Sequence, residues 1–180
     1  MKKYSFNKQN IDLLAELIFD SSIEIPESFD PKILNKTISF KIERRVLEDV
    51  RKKNLFFNKT IINGSLSNLI IYPVYNIKNN ISKNDLNSNN DFIHEIRYDQ
   101  NSKILIINTI RIVNAIELHV DDTFIVILED IMESNFGKGI CCGKVGYTID
   151  EWNQKYNSFK IKDKYEFLQP SKRVISISIR

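Results

Sequence analysis

Residues 136–146 read Phe-Gly-Lys-Gly-Ile-Cys-Cys-Gly-Lys-Val-Gly and hold four of the five glycines in the chain, two lysines and both cysteines. Glycine accepts positive φ and lets another group come close to the backbone, so this crowding predicts a loop over 131–147. Lys138 and Lys144 would face an anion there, and a helix start near Thr148 would add backbone donors. The match to phosphate-binding motifs is incomplete. A Walker loop needs glycine where Lys138 stands and a hydroxyl where Val145 stands, and Gly137, Gly139 and Gly143 are spaced one residue too far for a dinucleotide fingerprint. Adjacent Cys141 and Cys142 read as reduced thiols, because neighbouring cysteines reach disulfide geometry only with strain. No second Cys or His cluster completes a metal set, and no cofactor is expected.

His94 and His119 are the only imidazoles available for acid–base work. On a continuous strand Glu117, His119, Asp121 and Thr123 share a face, and His94 with Glu95 lies on a strand that would run close by. Such a group could hold a metal or move protons. Its spacing matches no metal or nuclease motif, so polar residues on a sheet surface are the plainer reading. Ser65 and Ser134 have neither a nucleophile elbow nor an adjacent base. Charge is uneven along the chain. Glu117, Asp121, Asp122, Glu129, Asp130 and Glu133 form an acidic stretch, which suits steered binding to another protein. Lys160, Lys162, Lys164, Lys172 and Arg173 interleave with Phe159, Tyr165 and Phe167, a pattern that could stack bases and follow a phosphate backbone.

The elements that must position these residues are mostly strands. Asn10 precedes an apolar stripe of Ile11, Leu14, Leu17 and Ile18, which predicts a capped helix over about 11–20. A strand follows at 37–42. Residues 43–54 read as a surface helix, with Val46, Leu47 and Val50 as its stripe and Arg44/Glu48, Glu48/Lys52 and Asp49/Lys53 as pairs four apart. Asn63-Gly64 between two apolar runs predicts a hairpin, with Pro73 ending the second strand or marking an edge. The Asn- and Ser-rich stretch 76–91 reads as a mobile loop. Residues 92–98 and 103–113 predict a second hairpin about 99–102. Even positions from Ile116 to Leu128 stay apolar across Asp121-Asp122, which favours one long or bulged strand. Thr148 and Glu151 have capping-box spacing before Ile149, Trp152 and Tyr156. Residues 174–180 alternate cleanly as a last strand.

These elements predict one α+β domain over 1–180, a mainly antiparallel sheet of six to eight strands with two or three packed helices. Only two alanines, Ala15 and Ala115, and many β-branched residues agree with that. A net charge of +3 is too balanced for a dedicated DNA-binding domain. No run is apolar enough to cross a membrane, and Asp12, Glu16 and Asp20 interrupt the segment that would serve as a signal peptide. A cytoplasmic location is expected. The functional expectation is a non-catalytic protein that binds another protein, such as a bacterial inhibitor or immunity-type protein. Lys138, Lys144, Asp121, Asp122, Glu129, Asp130 and His119 are its candidate binding residues. An enzyme built on His94 and His119, or a nucleic-acid-binding domain, is the alternative.

Overall fold

Alternation decides most of this chain, because branched apolar side chains at every second position pack well on a pleated, half-buried surface. A computed structural model describes residues 2–24, 36–55, 57–80, 90–143 and 145–159. In chain order these form β1 (Lys3–Phe6), α1 (Ile11–Ile18), β2 (Ser22–Glu24), β3 (Ile38–Leu55), β4 (Phe57–Asn79), β5 (Asn90–Asp99), β6 (Ile104–Thr109), β7 (Ile116–Cys142) and α2 (Ile149–Asn157). The seven strands make one antiparallel sheet in the order β1-β7-β4-β3-β2-β5-β6, and β6 pairs again with β7. Six of them therefore close a ring. β7 gives one edge to β4, and its other edge to β6 at Ile116–His119 and to β1 at Val126–Glu129. Closure removes most exposed edges.

The interior is filled by Phe40 and Ile42 of β3, Leu69 and Ile71 of β4, Leu105 and Ile107 of β6, and Leu118, Phe124 and Val126 of β7. Helix α1 adds Leu14, Leu17 and Ile18 and packs against β5 and β3. Asn10 does not cap it; the Asn10 side-chain oxygen accepts from the Asn7 amide instead, at 2.7 Å. The capping box on α2 forms as its spacing requires, with Glu151 N–H donating to Thr148 Oγ1 and Thr148 N–H to a Glu151 carboxylate oxygen. Trp152 is fully buried, edge-on to Tyr4 at 5.7 Å and stacked on Tyr156 at 5.8 Å. Aromatic contacts of this kind add about 1 kcal/mol each beyond burial. Tyr156 Oη both donates to the Ser5 carbonyl and accepts from the Ser5 amide, which fixes α2 to β1.

Several expectations are corrected. Residues 43–54 are strand, not helix. Ile42, Arg44, Val46, Glu48 and Val50 are buried at every second position, while the register slips between Val46 and Arg51. The Asn63-Gly64 turn is absent, since β4 runs unbroken through it and pairs with β3 as far as Leu55 opposite Phe57. Residues 131–142 belong to β7 rather than to a glycine loop, and 76–79 and 90–91 belong to β4 and β5. β6 stops at Thr109, and β5 and β6 turn through 100–103. One long β7 crosses Asp121-Asp122 with a bulge there, as its parity implied. The stretch 160–180, with its basic–aromatic run and last strand, lies outside the described residues, as does Lys144.

Gly64 explains itself by what replaces the turn. Opposite Asn63, β7 inserts 135–138 as an excursion, and a Cβ on Gly64 would collide with the backbone oxygens of Ser134 and Phe136. The excursion crosses Arg45 of β3 at Gly137, whose φ of +60° suits glycine. It ends with Phe136 stacked on Phe92 of β5 at 6.2 Å. Gly64→Ala is therefore expected to cost about 2 kcal/mol in urea unfolding, because the obstacle is backbone that moves only with the excursion. Gly139→Ala, where a Cβ meets nothing within 4 Å among the described residues, should stay within about 0.5 kcal/mol.

Candidate functional site

The fold separates most of the residues that the sequence nominated. His119 lies opposite Ile104, and Ile104 opposite Asp99, whereas His94 is five positions back along β5. Five residues of strand span about 17 Å, so the two imidazoles share no site. His94 is exposed and lies against Phe19, ring to ring at 5.9 Å. Asp121 and Asp122 occupy the β7 bulge and are held from several sides. Tyr75 Oη and the Thr123 amide and hydroxyl donate to Asp121. Tyr98 Oη donates to Asp122 at 3.0 Å, and Lys8 pairs with it at 3.2 Å. Glu129 pairs with Lys3 at 3.2 Å. Lys138 is exposed on the excursion. The α2 N-terminus carries its own Asp150 and Glu151, so the expected anion cradle is already filled by acid.

Asp130 leads to a constellation that the sequence concealed. Arg44, with no exposure, sits in the interior between β3, β4 and β7. Its Nη1 and Nη2 donate to the two Glu48 carboxylate oxygens at 2.9 and 2.6 Å. Nη2 and Nε also reach Asp130 at 2.9 and 3.2 Å, Nε reaches Ser67 Oγ at 3.3 Å, and Nη1 the Arg45 carbonyl at 3.5 Å. Ser67 Oγ donates to Asp130 at 2.7 Å. Burial works against the guanidinium charge, but Glu48 and then Asp130 outweigh it and hold the Arg44 pKa above its ordinary value. Every donor edge of Arg44 is used by the protein itself. The cluster is a structural tie with no N–H left over for a ligand.

Beside it opens a pocket of about 250 Å³, lined by Lys2, Asp49, Asn63, Ser65, Asp130 and Glu133 among others. Lys2 pairs with Asp49 across it at 2.6 Å. Ser65 Oγ donates to the Leu66 and Met132 carbonyls and hydrogen-bonds to no imidazole or carboxylate among the described residues, so no base is engaged to activate it. Among the described residues no three His, Cys, Asp or Glu side chains converge in a way that could hold a metal ion.

A different surface carries unbalanced charge. Residues 51–55 of β3, 57–62 of β4 and 139–142 of β7 pair side by side as a three-stranded hairpin end. Residues 51–62 and 137–146 together contain Arg51, Lys52, Lys53, Lys59, Lys138 and Lys144 and no acid, a charge of +6 that leaves −3 for the rest of a +3 chain. Several cations elsewhere are matched, as in Arg45–Asp20, Lys155–Glu16 and Lys78–Glu117. Arg51, Lys59 and Lys138 are exposed and have no carboxylate partner among the described residues.

Register sorts this end into two faces, because cross-strand partners project together. Lys52, Thr60 and Cys141 share the inner one. It is covered by the returning chain, where Lys52 reaches Glu151 at 3.1 Å and Thr60 Oγ1 donates to the Gly143 carbonyl at 2.7 Å. The outer face presents Arg51, Ile61 and Ile140 in one row and Lys59 and Cys142 in the next, with Lys53 at the register position opposite Lys59. Ile140 is 60% exposed. Lys138 was nominated from the sequence, but Lys59 and Ile140 were not. Their shared face depends on a β4–β7 register that no local pattern reports.

Compared with known proteins, the chain matches no family model, no curated protein and no solved structure.

Two measurements test this geometry. Arg44→Ala should cost about 3–5 kcal/mol in denaturant unfolding, since it strands two buried carboxylates, while Arg44→Met with Glu48→Gln and Asp130→Asn should recover much of that loss. In an ultraviolet titration, Tyr98 should ionise late. Burial and then the Asp122 hydrogen bond push its pKa up to about 12. The folded pKa lies above the unfolded value, so this contribution to stability is intact below about pH 10 and lost as pH rises through 12. Asp122 shows the opposite sign. Tyr98 and Lys8 hold its pKa down, so its contribution is present above the ordinary aspartate range and lost on acidification. Asp122→Asn should lower the alkaline tyrosine step and flatten the acid limb of the stability curve together.

Proposed function

We propose that this chain is a non-catalytic binding protein that docks onto another protein, in the manner of an inhibitor or immunity-type protein covering a partner's working surface. The unmatched charge at the hairpin end carries the reading: Arg51 and Lys59 are exposed there with no carboxylate partner among the described residues. Opposite charge on a partner would steer the encounter and fix its orientation. The dispersal of candidate catalytic groups supports the same reading. The histidines lie apart, Asp121 and Asp122 are held by hydroxyls and Lys8, and Arg44 is consumed inside.

No helix among the described residues is long and apolar enough to cross a membrane. Two unpaired cysteines, Cys142 among them exposed, favour a reducing bacterial cytoplasm as the place of work. The candidate residues Asp121, Asp122, Glu129 and His119 line the body of the barrel rather than the cationic end. The three carboxylates serve in this reading as its counter-charge.

Isolation of the tagged chain from its own cells tests the proposal. The expected result is a stoichiometric protein complex that resists nuclease, weakens as salt is raised, and survives His94→Ala and His119→Ala singly. An activity abolished by either histidine change, or a chain that emerges bound only to nucleic acid, would count against it.

A further inference from the structure

The outer face of the hairpin end is an unpartnered sheet surface with a definite layout. Its middle row is Arg51, Ile61 and Ile140, and its next row is Lys59 and Cys142. Aliphatic area lies between cations, with Ile140 60% exposed and Ile61 half-buried. Protein interfaces share this anatomy, an apolar centre with a charged rim. Resting on the binding-protein reading, we infer that this face is the docking site, and that its occupant is an acidic protein segment whose carboxylates flank an apolar side chain.

Three observations select that occupant. Charge complementarity comes first, because the described cations of this face, Arg51 and Lys59, are exposed and have no carboxylate partner among the described residues. A second copy of the chain is disfavoured by the same cations, since two such ends would repel when brought face to face. Nucleic acid is the other polyanion, but Ile61 and Ile140 between the cations gain most from burying against apolar side chains. The opposite face is excluded because the chain after Gly143 already covers it, through Thr60 and Lys52.

The arrangement gives each side chain a task. Arg51 offers a planar fork to a carboxylate, while Lys59 offers a mobile point charge one row away. Ile140 and Ile61 supply the area that must leave water. The inner face, anchored at Thr60 and Lys52, keeps the end from rearranging as the partner arrives. Docking would thus cost little ordering, which favours affinity.

The probe is a fluorescein-labelled peptide alternating glutamate and leucine, compared by anisotropy with single-stranded and duplex oligonucleotides of equal charge. The full chain should bind the peptide more tightly than either oligonucleotide. Arg51→Glu with Lys59→Glu, and separately Ile140→Asp, should each lower peptide affinity about tenfold or more. Lys78→Glu, at the far end of β4, should leave it unchanged. All these positions are exposed, so circular dichroism and urea midpoints should match the parent and exclude misfolding as the cause. Tighter oligonucleotide binding, peptide affinity indifferent to the changes, no peptide binding, or a dimer dissolved by Ile140→Asp would each overturn the inference. A native complex that withstands the double charge reversal would remove this surface and leave the binding-protein reading in place. Absence of any protein complex would instead remove that reading itself.

Discussion

One cation inside the barrel governs much of the surrounding backbone. An unpaired guanidinium out of water costs many kcal/mol, so Arg44 is tolerable only if anions come to it. In a regular strand residues four apart are about 13 Å distant, and Glu48 could not reach Arg44. The register slip between Val46 and Arg51 accompanies the bidentate contact that brings Glu48 round. A second slip, between Leu66 and Ser67, lies where β7 delivers Asp130 opposite Ser67. Three strands are thereby tied at one point, and the tie is specific because every N–H of the guanidinium has an acceptor.

The bulge in β3 has consequences further along the chain. Its backbone would leave polar groups unpaired at Leu47 and Val50. The segment before α2 supplies the partners, with Tyr147 donating to the Leu47 carbonyl at 2.6 Å and accepting from the Val50 amide at 2.9 Å. Gly146, at φ +72°, lies so close to the Leu47 carbonyl that a Cβ would clash. The chain is then delivered to the Thr148 capping box and to Trp152 beneath Tyr4. Of the glycines that resemble a ligand loop in sequence, Gly146 lets backbone meet backbone and Gly137 makes room for the Arg45 side chain, while Gly64 admits the backbone of Ser134 and Phe136.

Charge distribution at the surface follows from the same topology. The body of the barrel pairs its cations with carboxylates, a modest contribution of about 0–1 kcal/mol for each exposed pair. At the hairpin end Lys52 pairs with Glu151, but Arg51 and Lys59 on the outer face have no carboxylate partner among the described residues. The β4–β7 ladder sets Ile140 and Cys142 of a distant segment beside them.

Local chemistry made a good part of this legible in advance. Alternating isoleucine and valine identified strands at 37–42, 92–98 and 116–128 and one at 103–113 that stops short at Thr109, and retained parity carried β7 through its bulge. Thr148 and Glu151 announced a capping box three residues apart, and the apolar stripe from Ile11 to Ile18 announced α1. These features depend on neighbours within one or two turns, so the order of residues alone determines them. Segment 43–54 was misread because Arg44 and Glu48, four apart, are as natural on a helix surface as inside a bulged strand. Asn63-Gly64 was misread because glycine serves a turn and a close backbone approach equally well. Which meaning applies depends on partners many residues away, Asp130 for Arg44 and the Ser134–Phe136 backbone for Gly64. The placement of charge inside the barrel and on the hairpin end was therefore decided by the tertiary structure, because burial and complementarity are properties of groups that meet only once the sheet has closed.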